Sequence, residues 1–233
     1  MSATRVYGGV SADERAEARR ARLMEAALDL MGTEGWSGTS VRGVCRQAGL
    51  TPRFFYESFA DLDALAVAVF DDIAVRATAA ILEAVRDAPA DPAAQARAAI
   101  ATFVDQLTED PRRARVAFAE ALGSEALARR RLQAMRAMAR LIADHGRLAY
   151  GAPPEADTLV EITASLLAGG IAELLIAWLD GAIDATRDEL VEDCTALFMV
   201  TAEGAAAIGR RRARRPTGGS QAGLTRRGPR NDE

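Results

Sequence analysis

The chain has 233 residues, 49% hydrophobic and only 5% aromatic, with 33 acidic residues against 29 basic ones, every one of them arginine. That length can bury a sizeable core, and a composition rich in Ala, Leu, Arg and Glu with few β-branched runs favours an all-α fold. Cys45 and Cys194 are the only cysteines, which excludes a disulfide scaffold and fits a reducing, cytoplasmic compartment. One histidine and two distant cysteines cannot assemble a metal site, and no Gly-rich phosphate loop, nucleophile elbow or convincing carboxylate pair appears. The expectation is a protein that is not an enzyme and needs no cofactor.

Charge is unevenly spread beneath the net −4. Residues 210–233 carry eight arginines against two acids, residues 1–60 are close to balance, and the stretch between is acidic. Cationic ends on an acidic body are compatible with a nucleic-acid partner without requiring one. Met1 to Val10 contains no apolar run of signal-peptide length and reads as an arm.

Ser11 or Asp13 can cap a first helix running to about Glu34, with Leu23, Ala26, Ala27, Leu30 and Met31 as its apolar stripe. Gly35 ends it. Thr39 or Ser40 then caps a short helix to about residue 48, with Val41, Val44, Cys45 and Ala48 facing inward, and Gly49 supplies a break. Thr51 opens another short helix, with Pro52 in the first turn, where a missing N–H costs nothing. Asp61 starts a long helix to about Asp87, marked by Leu62, Leu65, Val69, Phe70 and Ile73. Further helices are predicted at about 92–109, 111–122, 124–149, 155–180 and 186–209, separated by Pro and Gly. Beyond Gly209 the Arg, Gly, Pro and Ser composition predicts disorder.

The segment Thr39 to Phe59, TSVRGVCRQAGLTPRFFYESF, carries the most information. Two short helices joined by Ala48-Gly49-Leu50, with buried positions at 41, 44, 48, 50, 55 and 59, describe a helix-turn-helix. Such a unit exposes the start of its second helix toward a DNA major groove. Here that start is Thr51, Pro52, Arg53 and Phe54. Arg53 can fork onto guanine O6 and N7, while Thr51 and Tyr56 can donate to phosphate. Phe55 and Phe59 read as core; Phe54 fits either the core or the groove side.

The run Met24 to Leu65 resembles the DNA-binding domain of the tetracycline-repressor (TetR) family, through Ala26-Ala27, Gly35-Trp36, Thr39, Ala48-Gly49-Leu50-Thr51 and Tyr56 followed by Phe59. The resemblance implies base or phosphate contact by Arg42, Thr51, Pro52, Arg53 and Phe54, and phosphate anchoring by Tyr56 and the helix start at Thr39-Ser40. Two departures stand out. Leu62 occupies a position where the family usually has a phosphate-binding Lys, a role left to Arg5, Arg15, Arg19 or the tail. Gly43 lies inside the second helix, at about 1 kcal/mol against Ala.

Ile162 to Leu179 is apolar on nearly every face with one charge, Glu173, and has membrane-span proportions. A lone carboxylate, Thr163, Ser165 and paired glycines favour burial in a helical bundle over a membrane. With the following helix it forms a candidate four-helix homodimer interface, as the resemblance also implies, through Leu166, Gly170, Leu174, Leu190, Cys194, Leu197 and Phe198. The family places a ligand pocket between this pair and the fourth helix. Candidates are Phe70, Phe103, Leu107, Phe118, Leu122, Met135, Met138, Leu141, Leu174 and Trp178, while His145 reads as a surface or cap residue.

The expected organisation is an arm (1–10), a three-helix helix-turn-helix DNA-binding domain (11–60), a helical ligand-binding and dimerisation domain (61–209) and an Arg-rich tail (210–233). The expected partners are a palindromic double-stranded DNA operator, a small apolar or amphipathic effector that releases a repressor, and a second copy of the chain. The competing reading is a helical protein-interaction module without sequence-specific DNA binding.

Overall fold

Ser11 opens the first helix with a capping box: its hydroxyl accepts from the Glu14 N–H while the Glu14 carboxylate accepts from the Ser11 N–H. The computed structural model describes residues 11–118 and 124–214. Nine α-helices and two short 3₁₀ turns run through them: α1 (Ala12–Thr33), α2 (Val41–Ala48), α3 (Pro52–Ser58), α4 (Leu62–Asp87), α5 (Pro92–Thr108), α6 (Pro111–Phe118), α7 (Glu125–Tyr150), α8 (Asp157–Leu179) and α9 (Arg187–Ala213). Ser40, Asp61, Asp91, Ser124 and Thr186 each accept from a first-turn N–H, so five further helix starts use the short polar side chains the sequence offers there. Gly49 and Gly151 sit at φ 61° and 57°, the left-handed geometry that lets α2 and α7 end abruptly.

Two boundaries differ from the sequence reading. α9 continues past Gly209 to Ala213, because Arg210, Arg211 and Arg212 are good helix formers and face the negative end of the helix dipole. α8 begins at Asp157, after the turn Pro154–Ala156, since consecutive prolines hold the chain extended before it. The N-terminal arm, the end of the sixth predicted helix with Leu122, and the tail beyond 214 lie outside the described residues.

The buried side chains form two clusters. Leu23, Met31, Val44, Phe55 and Leu65 are fully enclosed where α1, α2 and α3 meet the start of α4, with Val116 of α6 and Leu127 of α7 closing one side. A second cluster joins Ile100, Val104 and Leu107 of α5 to Leu175 of α8 and to Leu190, Val191 and Cys194 of α9. The clusters touch through α6. Gly32 of α1 is required there, since a Cβ added to it would lie 2.4 Å from the Arg112 Cβ. Between the clusters, α4, α5, α7, α8 and α9 leave a gap instead of a core.

α8 is long and apolar enough to cross a membrane by length and composition. It buries Ala164, Leu167, Ala168, Ala172 and Leu175 against neighbouring helices, yet leaves Ile162 and Leu166 about three-fifths exposed.

Candidate nucleic-acid interface and regulatory cavity

α2 and α3 are short and gain little stability of their own; α1 arginines fix both. The Arg22 guanidinium donates to the Ala48 carbonyl at the end of α2, and Arg20 donates to the Ser58 carbonyl at the end of α3 at 3.1 Å while lying 4.3 Å over the Phe59 ring. Both place positive charge where a helix dipole is negative. Arg19 lies 4.7 Å over the Phe54 ring. These arginines hold α3 and the end of α2, a role that sequence spacing does not reveal because cation–π and carbonyl contacts leave no periodic trace. Arg19 had been one substitute for the missing phosphate-binding Lys. Leu62, at that Lys position, packs half-buried against the first core cluster.

The start of α3 points outward. Thr51, Pro52, Arg53 and Tyr56 are exposed, and Thr51 spends no side-chain bond on capping. The Arg53 side chain is 84% exposed and is held along the helix by Glu57 at 2.9 Å. An exposed i,i+4 pair contributes only about 0.3–0.5 kcal/mol, so the guanidinium is readily exchanged onto another acceptor. Arg42 and Ser40 are exposed at the start of α2. Phe55 is fully buried and Phe59 nearly so; Phe54 is half-buried beneath Arg19, which answers the alternative left open for it.

Thr39 differs from expectation. It is buried and its hydroxyl donates to the Gly35 carbonyl at 2.8 Å, so it closes the turn between α1 and α2. Gly43 is also more than a weak point: its N–H donates to the Ser40 hydroxyl, and an added Cβ would press on that oxygen at 3.2 Å.

The gap behind this unit is a cavity of about 330 Å³. Phe70, Phe103, Leu107, Phe118, Met135, Met138 and Leu141 all line it, and His145, an exposed residue of α7, lines it too. Leu174 and Trp178 do not: α8 turns them into the second core cluster, and the Trp178 indole donates to the Ala185 carbonyl at 2.8 Å. Ile73, Ala77, Ile81 and Tyr150 line the cavity as well. Along α4 the stripe was legible only as far as Ile73, because the alanines after it look the same whether they face a cavity or a core.

Of the expected interface residues, Leu166, Gly170 and Leu197 are exposed, whereas Leu190 and Cys194 are buried within the chain and Leu174 and Phe198 pack partly against the same cluster. Burial removes Leu190 and Cys194 from any direct contact with another chain. It also raises both cysteine thiols above their ordinary pKa, that of Cys194 further through Asp193, leaving them protonated and inert.

Cavity and DNA-facing unit are linked by α6. Arg112 meets Asp110 at 2.9 Å, Glu25 at 3.2 Å and Asp29 at 3.3 Å, and the other Asp29 oxygen accepts from Gln47 of α2. The Arg112 bond holds the Asp110 carboxyl below the usual value. Arg115 donates to the Thr33 carbonyl at the end of α1 at 3.0 Å. α4 makes the second link: Leu65 and Val69 belong to the first cluster, and Phe70, one residue further on, belongs to that cluster and the cavity wall.

A Gly-turned helix pair with an outward α3 tip, carried on a larger helical body, defines a helix-turn-helix DNA-binding protein. Residues 23–69 match the model of the bacterial regulatory proteins of the tetR family. Those residues make the N-terminal unit a DNA-binding domain of the kind found in that family, and the chain a DNA-binding regulator. Its fold is that of a transcriptional regulator from Pseudomonas aeruginosa PAO1 (24% identity over 83% of this chain and 95% of that one, TM-score 0.66). It is similarly close to the fatty acid degradation regulator FadR from Bacillus halodurans (17%, 77% and 94%, 0.66) and a TetR-family regulator from Syntrophomonas wolfei (17%, 81% and 96%, 0.66).

Proposed function

We propose that the chain works in the cytoplasm as a homodimeric, non-enzymatic repressor that binds a palindromic operator through α3 and is released by a ligand in the cavity. The observation that carries this reading is that the cavity wall and the DNA-facing unit share material: Phe70 belongs to both, and Arg112 ties α6 to α1 and, through Asp29, to α2. A ligand that moves α4 or α6 cannot leave α3 where it was. If the ligand favours a spacing of two recognition helices that misses successive grooves, about 34 Å apart, it lowers DNA affinity by population shift.

Direct base contact falls to Arg53, with Thr51, Pro52 and Arg42 beside it and Tyr56 and Ser40 toward phosphate. Dimerisation falls to the apolar face that α8 and α9 leave uncovered: Ile162 and Leu166 with Gly170, and Leu197, Val200 and Ile208 with Gly204. A Cβ at Gly169, Gly170 or Gly204 would meet nothing within 4 Å, which leaves room for close helix approach by a second copy. That second copy also accounts for so apolar a helix without a membrane.

Fluorescence anisotropy with the DNA upstream of the chain's own gene tests the reading. Sequence-selective binding that weakens steeply with salt is expected; absence of sequence preference at every salt concentration would return the chain to the class of helical interaction modules. Leu166→Glu is expected to shift the dimer to monomer in sedimentation and to weaken operator binding with it.

A further inference from the structure

The cavity has a charge pattern that apolar walls do not require. Its charged lining residues are Arg76, Arg113, Arg131 and Arg210, and no Asp or Glu lines it among the described residues, in a chain where acids outnumber arginines. Arg76 is largely exposed and paired with Asp72 at 2.8 Å, Arg113 reaches Asp110 at 3.5 Å, and Arg210 is exposed at the end of α9. Arg131 is different. Its Nε is buried and makes no hydrogen bond among the described residues, and its guanidinium lies over the Phe118 ring, 5.7 Å from the centroid.

A buried N–H without an acceptor costs free energy, more so on a charged group. A carboxylate, with two parallel lone pairs, is the acceptor that a guanidinium fork fits best. We propose that the ligand of this cavity is an amphipathic anion, a carboxylate on an apolar chain, with its headgroup held by Arg131. This rests on the reading of the cavity as the regulatory site. Arg131 begins a stripe on one face of α7 that continues through Ala134, Met135 and Met138, all lining the cavity, so an apolar chain anchored at the guanidinium lies along adaptable thioethers. The headgroup then sits against Phe118 at the end of α6, the helix whose Arg112 and Arg115 grip α1. A neutral apolar ligand of the same length fills the cavity and leaves the Nε unsatisfied.

Calorimetric titration of the full chain with octanoate and with octanol, equal in length and different in headgroup, tests this. Octanoate is expected to bind about tenfold or more tightly than octanol, the range of a hydrogen bond to a charged group. Arg131→Met is expected to abolish that preference while retaining octanol binding, and Arg131→Lys to restore part of it. Equal affinity for the two compounds in the unmodified protein, no binding of either, or a preference that survives Arg131→Met overturns the proposal; the first two need no variant to fold. Octanoate binding that depends on Arg131 but leaves operator affinity unchanged supports this assignment and defeats the regulatory reading instead.

Discussion

The two halves of the chain use nearly the same apolar alphabet to opposite ends. In the N-terminal unit, Leu23, Met31, Val44, Phe55 and Leu65 have no exposed surface, and the candidate DNA-contacting side chains are those left over on the outside. In the C-terminal helices, apolar residues are divided among a smaller core, the wall of a 330 Å³ cavity and an uncovered face. The first region is specified by packing, which tolerates little change of volume. The second is specified by spaces, which a substitution can fill. The proposed ligand control needs both: a rigid reader whose geometry does not drift, and a body soft enough for occupancy to shift it.

The comparison breaks most visibly at Phe55. Phe55→Ala is expected to cost about 3–5 kcal/mol in urea unfolding, since no neighbour can collapse into a fully enclosed site. A loss under about 1 kcal/mol would mean that the reader is not packed as described. Identical chemistry in the two regions sharpens the contrast. Ala27→Leu, in the closed core, is expected to lose about 1–3 kcal/mol by overpacking, whereas Ala77→Leu on the cavity wall has room and should change stability by less than about 0.5 kcal/mol. Equal losses at the two positions would show that the cavity is already filled.

Arg53→Ala reverses the emphasis: at 84% exposure it should leave the melting temperature unchanged and remove about 1–3 kcal/mol of specific DNA binding. Unchanged operator affinity would take Arg53 out of the interface. The smallest effect is expected at the junction of the regions. The Asp110 carboxyl is held below its ordinary value first by its hydrogen bond from Arg112, so its contribution to stability is complete above that ordinary value and fades as pH falls through the depressed one. Asp110→Asn should therefore be less stable than the parent at neutral pH, the two converging below about pH 4. Parallel pH profiles would show that Arg112 does not hold the Asp110 carboxyl below its ordinary value.

The reader was largely legible because its signals are local. Ser11, Ser40, Gly49, Pro52 and Asp61 set helix ends through bonds and dihedrals within four residues, and the burial of Val44, Cys45, Ala48 and Phe55 follows from spacing on short helices. Where local reasoning failed, a longer contact had intervened. Thr39 looks like a cap or a phosphate ligand until its hydroxyl is seen closing on Gly35, and Arg19 looks like a substitute phosphate ligand until Phe54 of α3 is brought beneath it.

What the sequence determined alone was the helical content, most of the helix ends and the helix-turn-helix, because each is fixed by side chains acting on their own or adjacent turns. Tertiary structure decided how the apolar residues of the body are shared out. It sent Leu174, Trp178, Leu190 and Cys194 to a core, Met135, Met138 and Arg131 to a cavity, and Leu166 and Leu197 to an open face. Periodicity tells which side of a helix is apolar; only the crossing of helices distant in sequence decides whether that side meets a neighbour, a ligand or a second chain.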